Sequence, residues 1–380
     1  MMDRLFQLMK EKNASDMFFA VNSPVHLKIN GTLIPVNQQK LEPENIDALL
    51  AEVCTPAQLK ELAQSNELNM GVSVPSLGRF RLSAFRQRGT VSAVFRYVPA
   101  TIPALDELNL PPILAELVME KRGLMLVVGS TGSGKSTTIA AMLDHRNELR
   151  PGHILTIEDP IEYLFKNKRA IVNQREIGSD AKDLETALKN AMRQAPDCIL
   201  IGEIRDRETM AAALAYAQSG HLVVATLHAN NSYNALNRII GFYPIENRPA
   251  LLQDLSSTLR AIVSQRLVRS AAGGVRTPAV EVMVNTRYVS ELIEKGDIAQ
   301  LKEALDQSLS PGSQSFEQAL YKLVKDGRIT QEEALANADS ATNLLWLLNN
   351  GPAEAPDKGA AEPEPKPVAG ASFTGFTLDT

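Results

Sequence analysis

Residues 129–136 read Gly129-Ser130-Thr131-Gly132-Ser133-Gly134-Lys135-Ser136, and this stretch decides the fold. It satisfies the GxxxxGK[ST] pattern in full. The apolar run Leu124–Val128 before it has strand character, and helix-like sequence follows from Ser136 to Leu149. Strand, glycine-rich turn and helix in that order make a cradle for phosphate. The glycines let successive backbone N–H groups turn inward, and the helix N-terminus adds partial positive charge. Gly129 through Ser136, with Thr137 after them, are the candidate nucleotide-binding residues. Lys135 is placed to reach the β- and γ-phosphates of ATP, and Ser136 to set its hydroxyl on Mg²⁺.

Three further elements lie downstream. The apolar Ile199–Ile201 closes on Gly202-Glu203, which puts a carboxylate at the C-terminal edge of a sheet beside the phosphate loop. Most P-loop ATPases carry Asp where Gly202 stands, so Glu203 is expected to act on the Mg²⁺ shell, through water, or on the attacking water. Thr156-Ile157-Glu158-Asp159-Pro160-Ile161-Glu162-Tyr163 crowds three carboxylates around a proline turn. Like charges so close need a cation or hydrogen-bond donors nearby. Glu158 ends a strand, and Glu162 falls after the turn, where it can orient water. Gly220-His221-Leu222-Val223-Val224-Ala225-Thr226-Leu227-His228 brings two histidines. In a regular strand they would point to opposite faces, and no cysteine pair completes a zinc site. His228 is instead expected to sense the γ-phosphate or the catalytic glutamate.

Around this centre, short apolar runs (124–128, 154–157, 198–201, 222–225) alternate with helical sequence, which predicts a mostly parallel sheet with helices on its faces. Upstream, Val25, Leu27 and Ile29 alternate with polar residues ahead of an Asn30-Gly31 turn. Thr55-Pro56-Ala57-Gln58 has the form of a helix cap. Phe80, Leu82 and Ala84 share one face of a strand and Arg79, Arg81 and Ser83 the other. Prolines 99, 103, 111 and 112 mark an interdomain linker. Beyond Gly351 the composition shifts to Ala, Pro, Glu, Lys and Gly, with five prolines by Pro367, as expected of a disordered tail.

The whole chain has 380 residues, 44% hydrophobic and 22% charged, with a net charge of −5. That balance argues against coating a nucleic-acid duplex or an anionic membrane. Two cysteines, Cys54 and Cys198, lie far apart, so neither a disulfide framework nor a four-thiolate zinc site is expected. No run approaches the roughly 18 apolar residues of a membrane span. Charged residues within the first 16 positions do not suit a secretory signal.

With the four elements in this order, the sequence resembles the secretion ATPases of type II secretion and type IV pili. The Walker A, Asp box, Walker B and His box of that family match Gly129–Ser136, Thr156–Tyr163, Ile199–Asp206 and Gly220–His228. Asn13-Ala14-Ser15-Asp16 and 26–35 look like the start of the retraction motors, the PilT/PilU family. Assembly ATPases usually have a longer N-terminal region and a paired CxxC zinc module, which this chain lacks. A C-terminal motif, AIRNLIREGK in PilT-type members, is only partly kept in Thr286–Gly296, which looks like the PilU side of the family.

The resemblance implies a RecA-like P-loop ATPase domain, a smaller N-terminal PAS-like α/β domain and a helical C-terminal region. The expected boundaries are 1–98 for the N-terminal domain, 99–112 for the linker, 113–285 for the ATPase domain, 286–350 for the helical region and 351–380 for the tail. It implies a homo-hexameric, ATP-hydrolysing motor that powers or assists pilus retraction, and so twitching motility. Such a motor is cytoplasmic, peripheral to the inner membrane. Its partners are a PilT-like motor and an inner-membrane platform protein, with no nucleic acid and no membrane span of its own. Glu162, Glu203 and His228 then carry catalysis, with Glu158, Asp159 and His221 as accessory positions. Arg81 and Arg96 are candidates to reach a neighbour's nucleotide. The competing readings are a RecA-like nucleic-acid translocase and a non-hydrolysing regulatory ATP-binding subunit. The negative charge, lacking an evident basic or aromatic stripe, weighs against the first, and the complete set of hydrolytic residues against the second.

Overall fold

A computed structural model describes residues 1–29, 31–75, 77–98, 101–274, 276–306 and 312–351. Asn30 of the expected hairpin turn, Pro99 of the linker and the expected tail beyond Gly351 lie outside the described residues.

Six strands build the first sheet: β1 (Asp16–Phe19), β2 (His26–Ile29), β3 (Thr32–Pro35), β4 (Glu67–Val74), β5 (Gly78–Gln87) and β6 (Thr90–Val98). Their order is β3-β2-β1-β6-β5-β4, antiparallel throughout. Helices Met2–Glu11, Pro43–Ala51 and Pro56–Ser65 complete this unit. The period-two pattern of β5 sends Phe80, Leu82 and Ala84 into its core. There Phe6 stacks on Phe80 at 4.1 Å between ring centroids and meets Phe95 edge-on. Thr55 caps the third helix through Gln58 in a reciprocal capping box.

Seven strands build the second sheet: β7 (Gly123–Val128), β8 (Gly152–Glu158), β9 (Ala170–Glu176), β10 (Cys198–Ile201), β11 (Leu222–Leu227), β12 (Leu259–Arg269) and β13 (Arg276–Val284). The order is β13-β12-β7-β11-β10-β8-β9, with β13 alone antiparallel to its neighbour. Both faces are covered, so the central strands are apolar without alternation, and every residue of β7 is buried. Helix Lys135–Leu149 contributes Ile139, Met142 and Leu143 to the core on one face. Helices that include Arg207–Gln218, Ser232–Gly241 and Arg287–Lys295 fill the other.

The linker segment is packed rather than free-standing. Leu105, in a 3₁₀ turn, and Leu110 lie against the core that β7 shares with helix Lys135–Leu149. The C-terminal region divides in two. Val289, Leu292 and Ile293 join the core on one face of the second sheet, whereas helices Phe316–Lys325, Gln331–Asn337 and Ala341–Asn350 form a small core of their own on Val268 of β12 and Ala279 of β13. Cys54 and Cys198 are both buried free thiols.

The register places the site. Val128 of β7 lies opposite Leu227 of β11, Ala225 opposite Ile201 of β10, and Ile201 opposite Ile157 of β8. Four neighbouring parallel strands therefore end along one edge. Whatever follows Val128, Leu227, Ile201 and Ile157 in the sequence meets in space there.

Candidate active site

The segments after those four strands are the phosphate loop, His228, Gly202-Glu203 and Glu158–Tyr163. Thr131, Gly132, Lys135 and Ser136 of the loop, His228, Gly202 and Glu203, and every residue of the last segment except Ile161 line one cavity of about 440 Å³, with Arg205 and Thr226. Glu162 and Glu203 line this cavity with Lys135, and the charges of both carboxylates act on the lysine.

The loop conformation demands its glycines at two positions. Gly129 has φ +152° and Gly134 has φ +91°. A Cβ on Gly129 would lie 2.5 Å from the carbonyl of Gln265, and one on Gly134 2.7 Å from the Gln265 side chain. Gln265 is itself fixed, accepting a 2.7 Å hydrogen bond from the buried Thr138 hydroxyl. Lys135 opens helix Lys135–Leu149, and its ammonium donates to the loop carbonyls of Gly129 (2.8 Å) and Ser130 (2.9 Å). Burial pushes its pKa down, while the charges of Glu203 and Glu162 oppose that shift. The Ser133 hydroxyl is buried with no protein partner among the described residues. An orphaned buried donor in a glycine-rich loop at the N-terminus of a helix fits an anionic ligand. Ser136 and Glu203 present oxygen donors to the same cavity, which suits Mg²⁺. Thr137 turns elsewhere: its hydroxyl shares a 2.8 Å hydrogen bond with Tyr163, tying the loop's helix to the carboxylate turn.

Glu203 is held from two sides. Arg205 Nε donates to its Oε2 at 2.6 Å, and His228 Nε2 stands 3.4 Å from its Oε1. The bond to Glu203 raises the Arg205 pKa. Gly202 lies close against the end of β8. Its amide donates to the Ile157 carbonyl at 2.8 Å, and a Cβ would stand 3.1 Å from that oxygen.

The three carboxylates of the turn have different fates. Glu158 receives the Thr156 hydroxyl at 2.6 Å and the Gln174 amide at 3.2 Å. Burial raises its pKa, and these bonds offset part of the rise. Hydrogen-bond donors thus relieve the crowding at Glu158. Asp159 lies 4.0 Å from Arg205, at the cavity rim. Glu162 is exposed at the cavity.

Other expected positions lie away from this centre. His221 precedes β11 at its opposite end, where its Nδ1 meets the Ser219 hydroxyl (3.0 Å) and the Tyr216 carbonyl (3.1 Å). The two histidines thus flank the strand instead of lying within it. Arg81 and Arg96 are cross-strand partners in the first sheet, and Arg96 pairs with Asp16 at 2.7 Å. Neither lines the cavity of its own chain. Sequence reasoning overlooked Arg205, whose signal was a cation two residues after the glutamate. It also overlooked Tyr163 and Gln174, which hold the turn and carry no sequence signal for doing so.

Residues 1–291 match the family described as type II/IV secretion system protein. The chain is 46% identical over 349 residues to the type IV pilus ATPase PilU of Pseudomonas aeruginosa, covering 92% of this chain and 91% of that one. It is 36% identical over 334 residues to the type IV pilus retraction ATPase PilT of the same organism, covering 88% and 97%. The crystal structure of the pilus retraction motor PilT with bound ADP superposes with a TM-score of 0.84 at 37% identity, over 90% of this chain and 99% of that one.

Proposed function

We infer what this chain does from its membership: it belongs to the type II/IV secretion system protein family, in the PilT/PilU group of pilus ATPases. It is an ATPase, and it serves as a type IV pilus motor in twitching motility. The reading beyond that point is ours. We propose that the cavity between the phosphate loop and Glu203 hydrolyses Mg²⁺-bound ATP to drive retraction. The observation that carries it is the convergence of Lys135, Ser136, Glu162, Glu203 and His228 on one cavity from four strand ends.

Each residue has a task that its position supports. The loop from Gly129 to Ser136 cradles the phosphates, Lys135 neutralises the transferred group, and Thr137, bonded to Tyr163, ties the loop's helix to the carboxylate turn. Ser136, with Glu203 through water, would hold Mg²⁺, which supplies charge neutralisation at the phosphates. Glu203 and Glu162 orient and deprotonate the attacking water. Arg205 and His228 fix the Glu203 carboxylate, and His228 is placed to report the state of that carboxylate to β11. Asp159 and Glu158 shape the turn that presents Glu162.

On this reading the N-terminal unit spans 1–98, the linker 99–112, the ATPase domain 113–285 and the helical region 286–350. The motor is a cytoplasmic homo-hexamer acting on an inner-membrane platform protein. Arg81 and Arg96 would serve a neighbouring subunit's nucleotide, since each lies outside its own chain's cavity. That arrangement would make hydrolysis depend on domain position. The divergent Thr286–Gly296 segment forms a helix whose Val289, Leu292 and Ile293 are buried, while Tyr288 stays exposed. Its altered outer face accords with a motor that works beside a PilT-like partner. Among the described residues no helix is long and apolar enough to cross a membrane.

Phosphate release by the purified chain tests this reading. Wild type should turn over ATP with Mg²⁺, while Glu203→Gln and Glu162→Gln bind nucleotide but slow by roughly a hundredfold or more. Wild-type turnover in both variants would refute the assignment. Strong stimulation by single-stranded DNA at low salt would favour a translocase instead.

A further inference from the structure

One buried carboxylate outside the cavity joins the two domains of the chain. Glu176 ends β9 with its side chain 3% exposed. Its Oε2 pairs with Arg79 Nη2 of β5 at 2.5 Å, and its Oε1 accepts the Gly71 amide of β4 at 3.2 Å. Both donors belong to the N-terminal sheet. The same Oε2 accepts the Ile161 backbone N–H at 3.0 Å, and Ser179 contributes a 3.4 Å contact to Oε1. Ile161 directly precedes Glu162. On the other side of Glu162, Tyr163 is held by Thr137 through its hydroxyl and by Gln174 through its carbonyl.

The N-terminal sheet is shaped for this contact. Arg79 lies opposite Ser73, so its side chain reaches diagonally over Gly71 on the same face. A Cβ on Gly71 would stand 2.2 Å from Arg79 Nη2. Gly71 lies outside the positive-φ residues, so clearance for the guanidinium is what its missing side chain provides. A carboxylate this buried is costly unless charge and hydrogen bonds satisfy it. Moving the N-terminal sheet away removes the cation and one amide together, and the carboxylate must then rearrange or hydrate. The anchor on Ile161 moves with it.

We propose that Glu176 is a positioning residue that ties the Glu162 turn to the N-terminal domain of the same chain, so that the turn is ordered when the two domains are closed on each other. This rests on the role assigned to Glu162 above. The chemistry that recognises closure is a guanidinium and a glycine amide presented to one buried carboxylate. It gives the nucleotide site a sense of domain position within a single subunit.

The test uses the full chain with Arg79→Ala, Gly71→Ala and Arg79→Lys. Hydrogen exchange at residues 159–165 is read beside steady-state kinetics. Arg79→Ala and Gly71→Ala should speed exchange at the Ile161 amide and lower kcat, each by roughly tenfold, with KM for ATP changed less than about threefold. Arg79→Lys should recover most of both effects, which a folding defect would not allow. In a Glu162→Gln background, Arg79→Ala should lower kcat little further. Unchanged exchange at Ile161, or a full multiplicative loss in the double variant, would overturn the proposal. If Glu162→Gln alone turned over normally, the role of Glu162 would fall, while the exchange data would still decide whether Glu176 couples the domains.

Discussion

Glu281→Gln should make the protein less sensitive to alkaline pH. Glu281 lies on β13, 4% exposed, and its Oε1 accepts both the Ser232 amide (2.7 Å) and the Ser264 hydroxyl (2.9 Å). Burial, with a smaller contribution from the Asp339 charge, pushes its pKa up from 4.5 to about 7. The folded state then holds a proton that the unfolded chain releases. Stability from this group is full below pH 4.5, falls as pH rises, and is lost above about 7. At about 1.4 kcal/mol per pKa step, the ionised carboxylate costs the fold roughly 3 kcal/mol at pH 8. Glutamine keeps an acceptor at the Oε1 position and has no proton to lose. Urea unfolding followed by circular dichroism at pH 5, 6, 7 and 8 measures the difference. The variant should gain less than about 1 kcal/mol at pH 5 and roughly 3 kcal/mol at pH 8. A constant offset at every pH, or a variant that loses stability at pH 8, would refute the reasoning.

Three further perturbations follow from the site. Lys135→Ala should abolish ATP hydrolysis and leave the urea unfolding free energy within about 0.5 kcal/mol of wild type, because the hydrogen bonds of the ammonium among the described residues run to two loop carbonyls. Thr138→Val should cost roughly 1–3 kcal/mol in the same unfolding assay, since it strands the buried Gln265 oxygen that the hydroxyl satisfies. Arg205→Ala should lower kcat about tenfold with nucleotide affinity kept, by freeing the Glu203 carboxylate; an unchanged kcat would remove Arg205 from the site.

The candidate site's edge is legible because it is built from local patterns. Residues 129–136 need no partner to declare a phosphate loop, and the apolar runs ending at Val128, Ile157, Ile201 and Ala225 mark strands buried on both faces. Parallel pairing then gathers their downstream residues without further information. Other elements are less legible for physical reasons. β9 is an edge strand reading Ala170-Ile171-Val172-Asn173-Gln174-Arg175-Glu176, so its polar residues mask it. β12 carries Ser264 and Gln265 in its interior, where Glu281 and Thr138 satisfy them across long sequence separations. Glu176 reads as a surface acid until β4 and β5 bring Gly71 and Arg79 against it. Gly202 likewise gains its meaning only when β8 packs beside it. His221 and His228, already set apart from a zinc pair by strand geometry, stand at the two opposite ends of β11.

The central claim, that this cavity powers retraction, is tested most directly in cells that lack this chain but retain a PilT-like partner. Retraction of single pili against an applied load is measured after complementation with wild type or Lys135→Ala. The wild-type chain should restore retraction under load, and Lys135→Ala, present at equal level, should not. Equal restoration by Lys135→Ala would contradict the claim, because the motor would then be working without its phosphate loop.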